Sequence, residues 1–311
     1  MIHEPVMVAE VLGALVTDRA GRYIDGTVGE GGHAGALLTA TEPSARLLGL
    51  DRDPEALRIA GRQLAPFGER VRLEQADFAD LSEIAPRIGW ERADGILLDL
   101  GLRSGALDEP ERGFAFSLSG PLDMRFDPGR GESAADLLAR IRPDALQTLF
   151  EQGTTRASPR AIARAIVAYR RGRRIARTED LVACLRAALG RRATPKLLSS
   201  VFATLRMAVN AELADLERAM STLPGLLKTG GVLCVLAYQS QEDRRVKALV
   251  RTSFVDARTQ EPFRMVPLWP KPLGPSPAET RINRRARSAK LRALRRTPLA
   301  PSSAMDANRD T

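Results

Sequence analysis

The sequence contains few of the residues that form disulfides or metal centres. There are two cysteines and two histidines among 311 residues. Cys184 and Cys234 each lie within an apolar stretch, which predicts buried thiols in a reducing compartment and excludes a disulfide framework or a zinc-type cysteine spacing. His3 and His33 are too few and too isolated in sequence to form a metal cluster, so we expect no bound metal.

Long apolar segments are also absent. No run of about 18 apolar residues occurs, and the first residues lack the charged, apolar and small pattern of a leader, so neither a membrane span nor a secretory signal is predicted. These absences favour a cytoplasmic protein. A chain of 311 residues can bury a sizeable core in one large domain or two modest ones.

Positive charge is in excess and is concentrated in two places. Lysine and arginine total 47 against 38 acidic residues. Residues 156–177 contain eight arginines and no acid, and residues 281–296 contain eight basic residues and no acid. Such blocks are typical of proteins that bind a phosphate backbone, and they favour a nucleic-acid partner. A solvated surface in an arginine-rich protein is the alternative.

Residues 22–53 show the pattern of a strand, a glycine-rich turn, a helix and a second strand. Four glycines lie between residues 26 and 32, helix formers follow at 34–40, and a second apolar run ends at Asp51. In such a βαβ unit the backbone of the turn can approach a ligand, and the acid can accept both hydroxyls of a ribose. The spacing differs from the G-x-G-x-x-G of dinucleotide sites and suits adenosine without a pyrophosphate, which favours S-adenosylmethionine. A glycine-rich turn without this ligand is the alternative.

The rest of the chain predicts an α/β sheet that is interrupted by helices. Apolar runs predict further strands, at residues 71–75, 93–101, 232–238 and, as an edge strand, 263–266. Helical patterns without a convincing strand fill the middle of the chain, at residues 133–141, 143–151, 159–171 and 178–189. Two later helices are predicted at 210–227 and 242–251. We therefore expect a discontinuous domain (1–102 and 206–299), an inserted helical domain (103–205) and a disordered tail (300–311).

Six segments resemble motifs of one protein family and occur in the order found in that family. They are residues 25–33 (DGTVGEGGH), 50–54 (LDRDP), 95–101 (GILLDLG), 111–114 (ERGF), 120–125 (GPLDMR) and 283–292 (NRRARSAKLR). Together they resemble the 16S ribosomal RNA cytosine-N4 methyltransferases of the MraW type, from about His3 to Arg292. The resemblance implies a Rossmann-like class I methyltransferase fold with a helical insert and S-adenosylmethionine as cofactor. It also implies a cytidine in the decoding region as target, in free small-subunit RNA or in the assembled subunit.

The resemblance also assigns candidate binding residues. The family's cofactor contacts fall on Gly31, Gly32, His33, Asp51, Phe78 and Asp99. Other positions depart from the family pattern, at Arg103, Ala106, Thr154, Thr155 and Gln239. Ala106 stands where the family has a glutamine that is expected to touch the cofactor, and Gln239 stands where it has a histidine. The cofactor half is therefore intact, while residues on the substrate side have changed.

The expected chemistry needs positioning and one proton acceptor. Methyl transfer is an in-line displacement, so orientation supplies most of the acceleration. The exocyclic amine of cytosine is a poor nucleophile, and an acceptor beside it can take its proton. Asp99, at the carboxyl end of the fourth predicted strand, is the candidate acceptor; a cofactor or turn ligand only is the alternative. His33 beside two glycines favours a cofactor contact over a base.

Candidate RNA contacts lie in the helical segment and at the end of the fifth strand. Arg160, Arg164 and Arg171 share one helical face and suit phosphates, together with Arg156 of the same basic block. Tyr238 could stack on a flipped base. The alternatives are a solvated helix face and a core aromatic residue.

Three functions follow from the sequence. The first is N4-methylation of a ribosomal RNA cytidine with S-adenosylmethionine. The second is methylation of another RNA or DNA amine by the same machinery. The third is a non-catalytic RNA-binding or ribosome-assembly protein, which the substitutions at Ala106 and Gln239 keep open.

Overall fold

The computed structural model describes residues 5–153 and 158–299. Its strands are β1 (Arg22–Asp25), β2 (Arg46–Asp51), β3 (Val71–Gln75), β4 (Ala93–Asp99), β5 (Leu227–Ala237), β6 (Ser253–Val255), β7 (Pro262–Pro267) and β8 (Lys290–Pro298). Its helices are α1 (Val8–Leu15), α2 (Gly32–Ala40), α3 (Pro54–Leu64), α4 (Leu81–Arg87), α5 (Ser104–Asp108), α6 (Ala134–Arg140), α7 (Pro143–Gly153), α8 (Pro159–Arg170), α9 (Thr178–Leu189), α10 (Pro195–Val209), α11 (Glu212–Leu226), α12 (Ser240–Ala248) and α13 (Pro277–Ile282). Thr154, Thr155, Arg156 and the predicted tail lie outside the described residues.

The strands form one sheet in the order β3-β2-β1-β4-β5-β8-β7-β6. The first five strands pair in parallel, whereas β8, β7 and β6 pair antiparallel to their neighbours. Consecutive parallel strands need crossover connections, which the intervening helices supply. Because β1 is central, the residues that follow β1, β2 and β4 meet at one edge of the sheet.

Both faces of the sheet are covered, which explains the continuous apolar runs. Successive side chains of a strand point to opposite faces. In β4, Ile96 and Leu98 belong to a core with α4 and α11, while Leu97 belongs to a second core with α1 and α2. Cys234 lies in that second core, and Cys184 is also buried; both are free thiols, as predicted. Burial raises the pKa of the Cys184 thiol to about 11.

Contacts divide the chain into two compact units. One contains Met1–Asp51, Glu55–Gly101 and Asp215–Thr311, and the other contains Arg52–Pro54 and Leu102–Ala214. The second unit is helical and has a core of its own, which includes Phe150, Ile166 and Leu185. Its bounds differ from the predicted 103–205. Residues 206–214 belong to it because α10 continues to Val209, and Arg52–Pro54 belongs to it because Asp53 pairs with two arginines of this unit.

The predicted helix at residues 210–227 was wrong at its start. The side-chain amide of Asn210 donates to the carbonyl oxygens of Met124 (2.7 Å) and Arg206 (2.9 Å) and accepts the N–H of Phe126 (2.8 Å). Ala211 then adopts a positive φ of 53°. These contacts end α10, a helix that the sequence did not reveal, and α11 begins at Glu212.

The fifth strand is longer than predicted. The predicted strand covered residues 232–238, but β5 begins at Leu227, opposite Ala93 of β4. Regular pairing of β5 with β4 resumes at Val232, which lies opposite Gly95, so residues 228–231 form an irregularity within the strand. Gly230 takes a positive φ of 84° there. The strand at 263–266 is likewise internal rather than at the edge, because β7 pairs with β8 and β6.

The second basic block contributes to the sheet, which the charge pattern did not indicate. Four of its residues lie in β8, between β5 and β7. Arg292 and Lys290 bond to Asp243, at 2.6 Å and 3.3 Å. Arg296 is 5% exposed and lies with its guanidinium 4.0 Å from the centre of the Phe263 ring. These three cations are therefore paired within the fold, whereas Arg281, Arg287 and Arg295 of the block are exposed.

The buried carboxylate of Asp256 neutralises two arginines. Arg92 donates to both of its oxygens at 2.7 Å, and Arg296 donates to Oδ2. Burial alone would raise the pKa of Asp256, but these hydrogen bonds, with those from the N–H groups of Arg258 and Thr259, outweigh it and hold the pKa well below its usual range. The group is therefore ionised in the fold and ties β8 to the segment before β4.

Replacing Asp256 with asparagine should lower the free energy of unfolding by about 3 kcal/mol, because two buried or half-buried guanidinium groups lose their counter-charge. The carboxylate's stabilisation is present above the unfolded-state pKa of about 4 and is lost as the pH falls through the lower folded-state pKa, so the variant should lack this acid-dependent loss. Urea unfolding at several pH values measures both effects.

The matched control is Glu91→Gln. Glu91 pairs with Arg258 at the surface, where the two side chains are 61% and 60% exposed, and its loss should cost less than about 1 kcal/mol. Equal destabilisation by the two substitutions would contradict a structural role for Asp256.

Within the described residues no single helix is both long and apolar enough to cross a bilayer; only α10 and α11, bent at the break between them, pass that test as a pair.

Candidate active site

The glycine-rich turn between β1 and α2 is tied to both neighbouring strands. The N–H of Val28 donates to the carbonyl of Leu50 (2.8 Å), and the N–H of Gly26 donates to the carbonyl of Leu97 (2.9 Å). Gly29 and Gly31 have positive φ angles of 53° and 93°, which side chains disfavour. The turn is therefore held close to the ends of β2 and β4.

A side chain at Gly26 would not fit at the base of this turn. A Cβ atom there would lie 2.6 Å from Cδ2 of Leu98 and 3.0 Å from Cβ of Phe78. Phe78 begins a short 3₁₀ turn after β3, where Asp77 caps it by accepting the N–H of Ala79 at 2.8 Å. The predicted adenine contact, half-buried Phe78, thus lies next to the glycine turn.

Two acids flank the turn at the ends of β2 and β4. Asp25 at the end of β1 is opposite Gly49 and Leu97, so Asp51 and Asp99 both lie two residues beyond it. Oδ2 of Asp51 accepts the N–H of Gly29 at 2.9 Å. The register places the two backbones two strand spacings apart, roughly 10 Å. One acid is therefore on each side of the turn.

His33 lies in the first turn of α2 and is 7% exposed. Its Nε2 is 2.9 Å from the carbonyl oxygen of Val6, and its Nδ1 is 3.6 Å from Oδ2 of Asp99. Pro5 covers the preceding Gly32, where an added Cβ would lie 3.0 Å from Cγ of the proline. Both ring nitrogens of His33 therefore face oxygen acceptors within the protein.

Tyr238, directly after β5, is bonded to Asp99. Its phenol O–H donates to Oδ1 of Asp99 at 2.8 Å. An added Cβ at Gly101 would lie 3.6 Å from the ring, and Oε2 of the buried Glu242 accepts the N–H of Tyr238 at 2.8 Å. Burial, followed by the nearby Asp99, raises the pKa of the Tyr238 phenol strongly, so the phenol keeps its proton.

Asp25 is the most deeply buried acid of this group, at 3% exposure. Burial raises its pKa to about 7; His33 and the N–H of Thr27 lower it, while Asp99 and Asp51 raise it. Asp25 is therefore largely protonated below neutral pH. Because the fold favours this neutral form, its stabilisation is lost as the pH rises through about 7.

The predicted phosphate contacts lie in the second unit. Arg160 and Arg164 of α8 and Arg171 just after it are exposed. Other arginines of the same block are used within the protein: Arg170 donates to the carbonyl of Leu138 at 2.6 Å, and Arg174 pairs with Asp136 at 2.8 Å. Arg160, Arg164 and Arg171 thus face solvent, as does Arg173 of the same block.

Arg103, a departure from the family pattern, forms a buried network that the sequence did not reveal. It donates to Asp53 (3.1 Å) and to both oxygens of Glu109 (2.7 and 2.9 Å). Arg112 donates to the same oxygen of Asp53 at 2.9 Å. No local sequence pattern links Asp53 to these two arginines. Gln239, another departure from the family pattern, forms a capping box with Glu242 at the start of α12.

These residues suit S-adenosylmethionine. The Asp51 carboxylate can accept ribose hydroxyls, Phe78 can contact adenine, and the glycine turn leaves room for a ligand against its backbone. Gly31 precedes the first turn of α2, where free N–H groups favour a carboxylate such as that of the methionine moiety. The donor set thus matches the groups that the sequence predicted for the cofactor.

A parallel sheet in this strand order, with a glycine turn between two acids, defines an S-adenosylmethionine-dependent methyltransferase of class I. The chain belongs to the MraW methylase family, whose model matches residues 1–297. The predicted family, fold class and cofactor are therefore confirmed.

Two relatives match nearly the whole chain. The ribosomal RNA small subunit methyltransferase H of Syntrophobacter fumaroxidans is 41% identical over 307 residues, which cover 94% of this chain and 95% of the relative. The protein of the same name from Syntrophotalea carbinolica is 41% identical over 307 residues, which cover 94% and 98%.

Ala106, where the family pattern has a glutamine, is part of an apolar core. It lies in α5, is 1% exposed, and belongs to the same cluster as Phe114 and Leu122. The sequence predicts that a restored glutamine would gain a hydrogen bond to the cofactor. The structure instead surrounds this position with apolar side chains of the second unit.

Ala106→Gln should therefore lower the free energy of unfolding by roughly 1–3 kcal/mol, because a larger, polar side chain enters a filled apolar site. Urea unfolding measures the loss. The matched control is Ala187→Gln, at an exposed position of α9, which should change stability by about 0.5 kcal/mol or less. Unchanged stability with tighter cofactor binding in Ala106→Gln would show instead that the glutamine regains the family's contact.

Proposed function

We propose that this protein methylates the exocyclic N4 amine of a cytidine in the decoding region of small-subunit ribosomal RNA. The names of the relatives support ribosomal RNA of the small subunit as the substrate. The resemblance of the six sequence segments supports the cytidine amine. The observation that carries the chemistry is the Asp99 carboxylate, which lies next to the glycine turn at the end of β4.

Asp99 provides an acceptor for the proton that the amine loses during methylation. The lone pair of an exocyclic cytosine nitrogen is conjugated with the ring, so the nitrogen is weakly nucleophilic. A carboxylate that accepts a hydrogen bond from one N–H holds the amine in place and takes that proton as the new N–C bond forms. When bound, S-adenosylmethionine supplies a methyl group on a positively charged sulfur. The electron pair of the breaking C–S bond stays with sulfur, and the amine proton goes to Asp99.

In this proposal, arginines of the second unit bind the phosphates of the RNA. Arg160, Arg164 and Arg171 are exposed cations on a segment that has no acid between residues 156 and 177. Guanidinium groups bind phosphate oxygens in a bidentate manner and fix the register of the nucleic acid. Arg156 remains a predicted contact of the same kind, outside the described residues.

The test is transfer of labelled methyl groups to small ribosomal subunits that lack the modification, followed by mass spectrometry of the nucleosides. The protein should produce N4-methylcytidine, and Asp99→Asn should reduce turnover by about two orders of magnitude or more, because the acceptor loses its charge. Asp94→Asn is the matched control, since Asp94 lies near the opposite end of β4 and pairs with Lys228. It should retain turnover.

Other outcomes identify other functions. Methylation of a different nucleoside would assign another RNA or DNA amine as the target. Binding of cofactor and RNA without any methyl transfer would indicate a binding protein, and turnover by Asp99→Asn at the original rate would show that Asp99 is not the acceptor.

Replacing Arg160 and Arg164 together with glutamine should weaken RNA binding and flatten its dependence on salt by about one to two units of slope, because two phosphate contacts are lost. Filter binding across a salt series measures the slope. The control pair is Arg140→Gln with Arg142→Gln, since these arginines already pair with Glu132 and Asp144. An equal effect of both pairs would mean that general charge, and not this helix face, holds the RNA.

A further inference from the structure

Each oxygen of the Asp99 carboxylate lies near one polar side chain. The phenol of Tyr238 donates to Oδ1 at 2.8 Å, and Nδ1 of His33 lies 3.6 Å from Oδ2. The backbone N–H of Asp99 donates to Oγ1 of Thr27 at 2.6 Å. The carboxylate is thus contacted from α2 and from the residue after β5, while Thr27 of the glycine turn holds the Asp99 backbone.

The contact of His33 with Val6 indicates which ring nitrogen donates a hydrogen bond. A carbonyl oxygen only accepts, so Nε2 carries the proton that it shares with Val6 at 2.9 Å. Val6 is itself held, because the N–H of Met7 donates to Glu279 at 2.7 Å and the Met7 side chain is buried. Nδ1 is then the nitrogen that faces Oδ2 of Asp99, and the contact is an ion pair when the ring carries a second proton on Nδ1.

The hydrogen bond from Tyr238 favours the charged form of Asp99. Asp25 and Asp51 also lie around the glycine turn, with His33. Burial raises the pKa of Asp25 to about 7, so Asp25 is largely protonated below neutral pH and then adds no negative charge beside Asp99. The phenol of Tyr238 stays protonated and donates. A carboxylate that accepts hydrogen bonds is stabilised in its charged form.

We propose that Tyr238 and His33 are positioning residues that hold Asp99 as an oriented carboxylate, one at each oxygen, toward the target amine. This inference rests on the proposed function. The amine proton passes to Asp99 as the N–C bond forms and leaves from Asp99 to water after the product departs. Tyr238 and His33 keep their own protons throughout.

The inference differs from the predicted role of Tyr238 as a stacking platform for a flipped base. The hydroxyl is committed to Asp99, and the ring packs beside Gly101 and against the core that contains α1 and α2. A stacking role depends on the ring alone. The positioning role depends on the hydroxyl, so removal of that one oxygen separates the two.

Tyr238→Phe is therefore the decisive variant. Its turnover number for small subunits should fall roughly ten- to hundredfold, the equivalent of one charged hydrogen bond, while KM and the cofactor Kd stay within about twofold. The acid limb of the pH–rate profile should move to higher pH, because Asp99 loses a donor to its charged form. Tyr169→Phe, in α8, is the control and should match the parent.

A second readout does not depend on turnover. The chain has two histidines, so His3→Gln leaves one imidazole for nitrogen NMR in the cofactor-free protein. The spectrum should show a proton on Nε2 of His33, and the Nδ1 shift should change in Asp99→Asn but not in Asp94→Asn. This result would stand even if ribosomal RNA proved not to be the substrate.

The proposal is overturned by either of two results. Tyr238→Phe could turn over at the parent rate with an unchanged acid limb, which would assign the ring to stacking or packing. Alternatively, the Nδ1 shift of His33 could be indifferent to Asp99→Asn, which would remove His33 from the arrangement.

Discussion

The site depends on how the glycine turn is held between two strands that extend past it. β1 ends two residues before β2 and β4 in register, so the chain can turn in the space between Asp51 and Asp99. Asp51 accepts the N–H of Gly29, and Thr27 accepts the N–H of Asp99. These two contacts fix Asp51 and Asp99, the proposed acceptors for ribose and for the amine proton, at one edge of the sheet.

The proposed proton acceptor, Asp99, is contacted by a residue from a distant part of the sequence. Tyr238 follows β5, which is separated from β4 by the whole helical unit. Parallel pairing of β5 with β4 brings it beside Asp99. Residues that are far apart in the chain thus meet at Asp99 through the order of the strands.

Periodicity and glycine spacing predicted the elements that form the cofactor half. β3 was predicted at its observed bounds from the alternation of its residues. β4 was predicted within two residues because a strand buried on both faces is a continuous apolar run. β8 was missed because its arginines resemble a surface, although Asp243 and Asp256 neutralise three of its cations. The hydrogen bond between Tyr238 and Asp99 was also missed, since no local pattern links residues on different strands. The contacts of Asp53 with Arg103 and Arg112 were not predicted either, because these residues are also far apart in the sequence.

The most direct test of this account is calorimetric titration of S-adenosylhomocysteine into the parent protein and into Asp51→Asn. Asparagine keeps an oxygen for the Gly29 N–H, so the turn should persist while the charged acceptor for ribose is lost. The account predicts binding to the parent and roughly ten- to hundredfold weaker binding to the variant, with Glu74→Gln on the neighbouring strand unchanged. Equal affinities for parent and Asp51→Asn, or no binding to the parent, would contradict it.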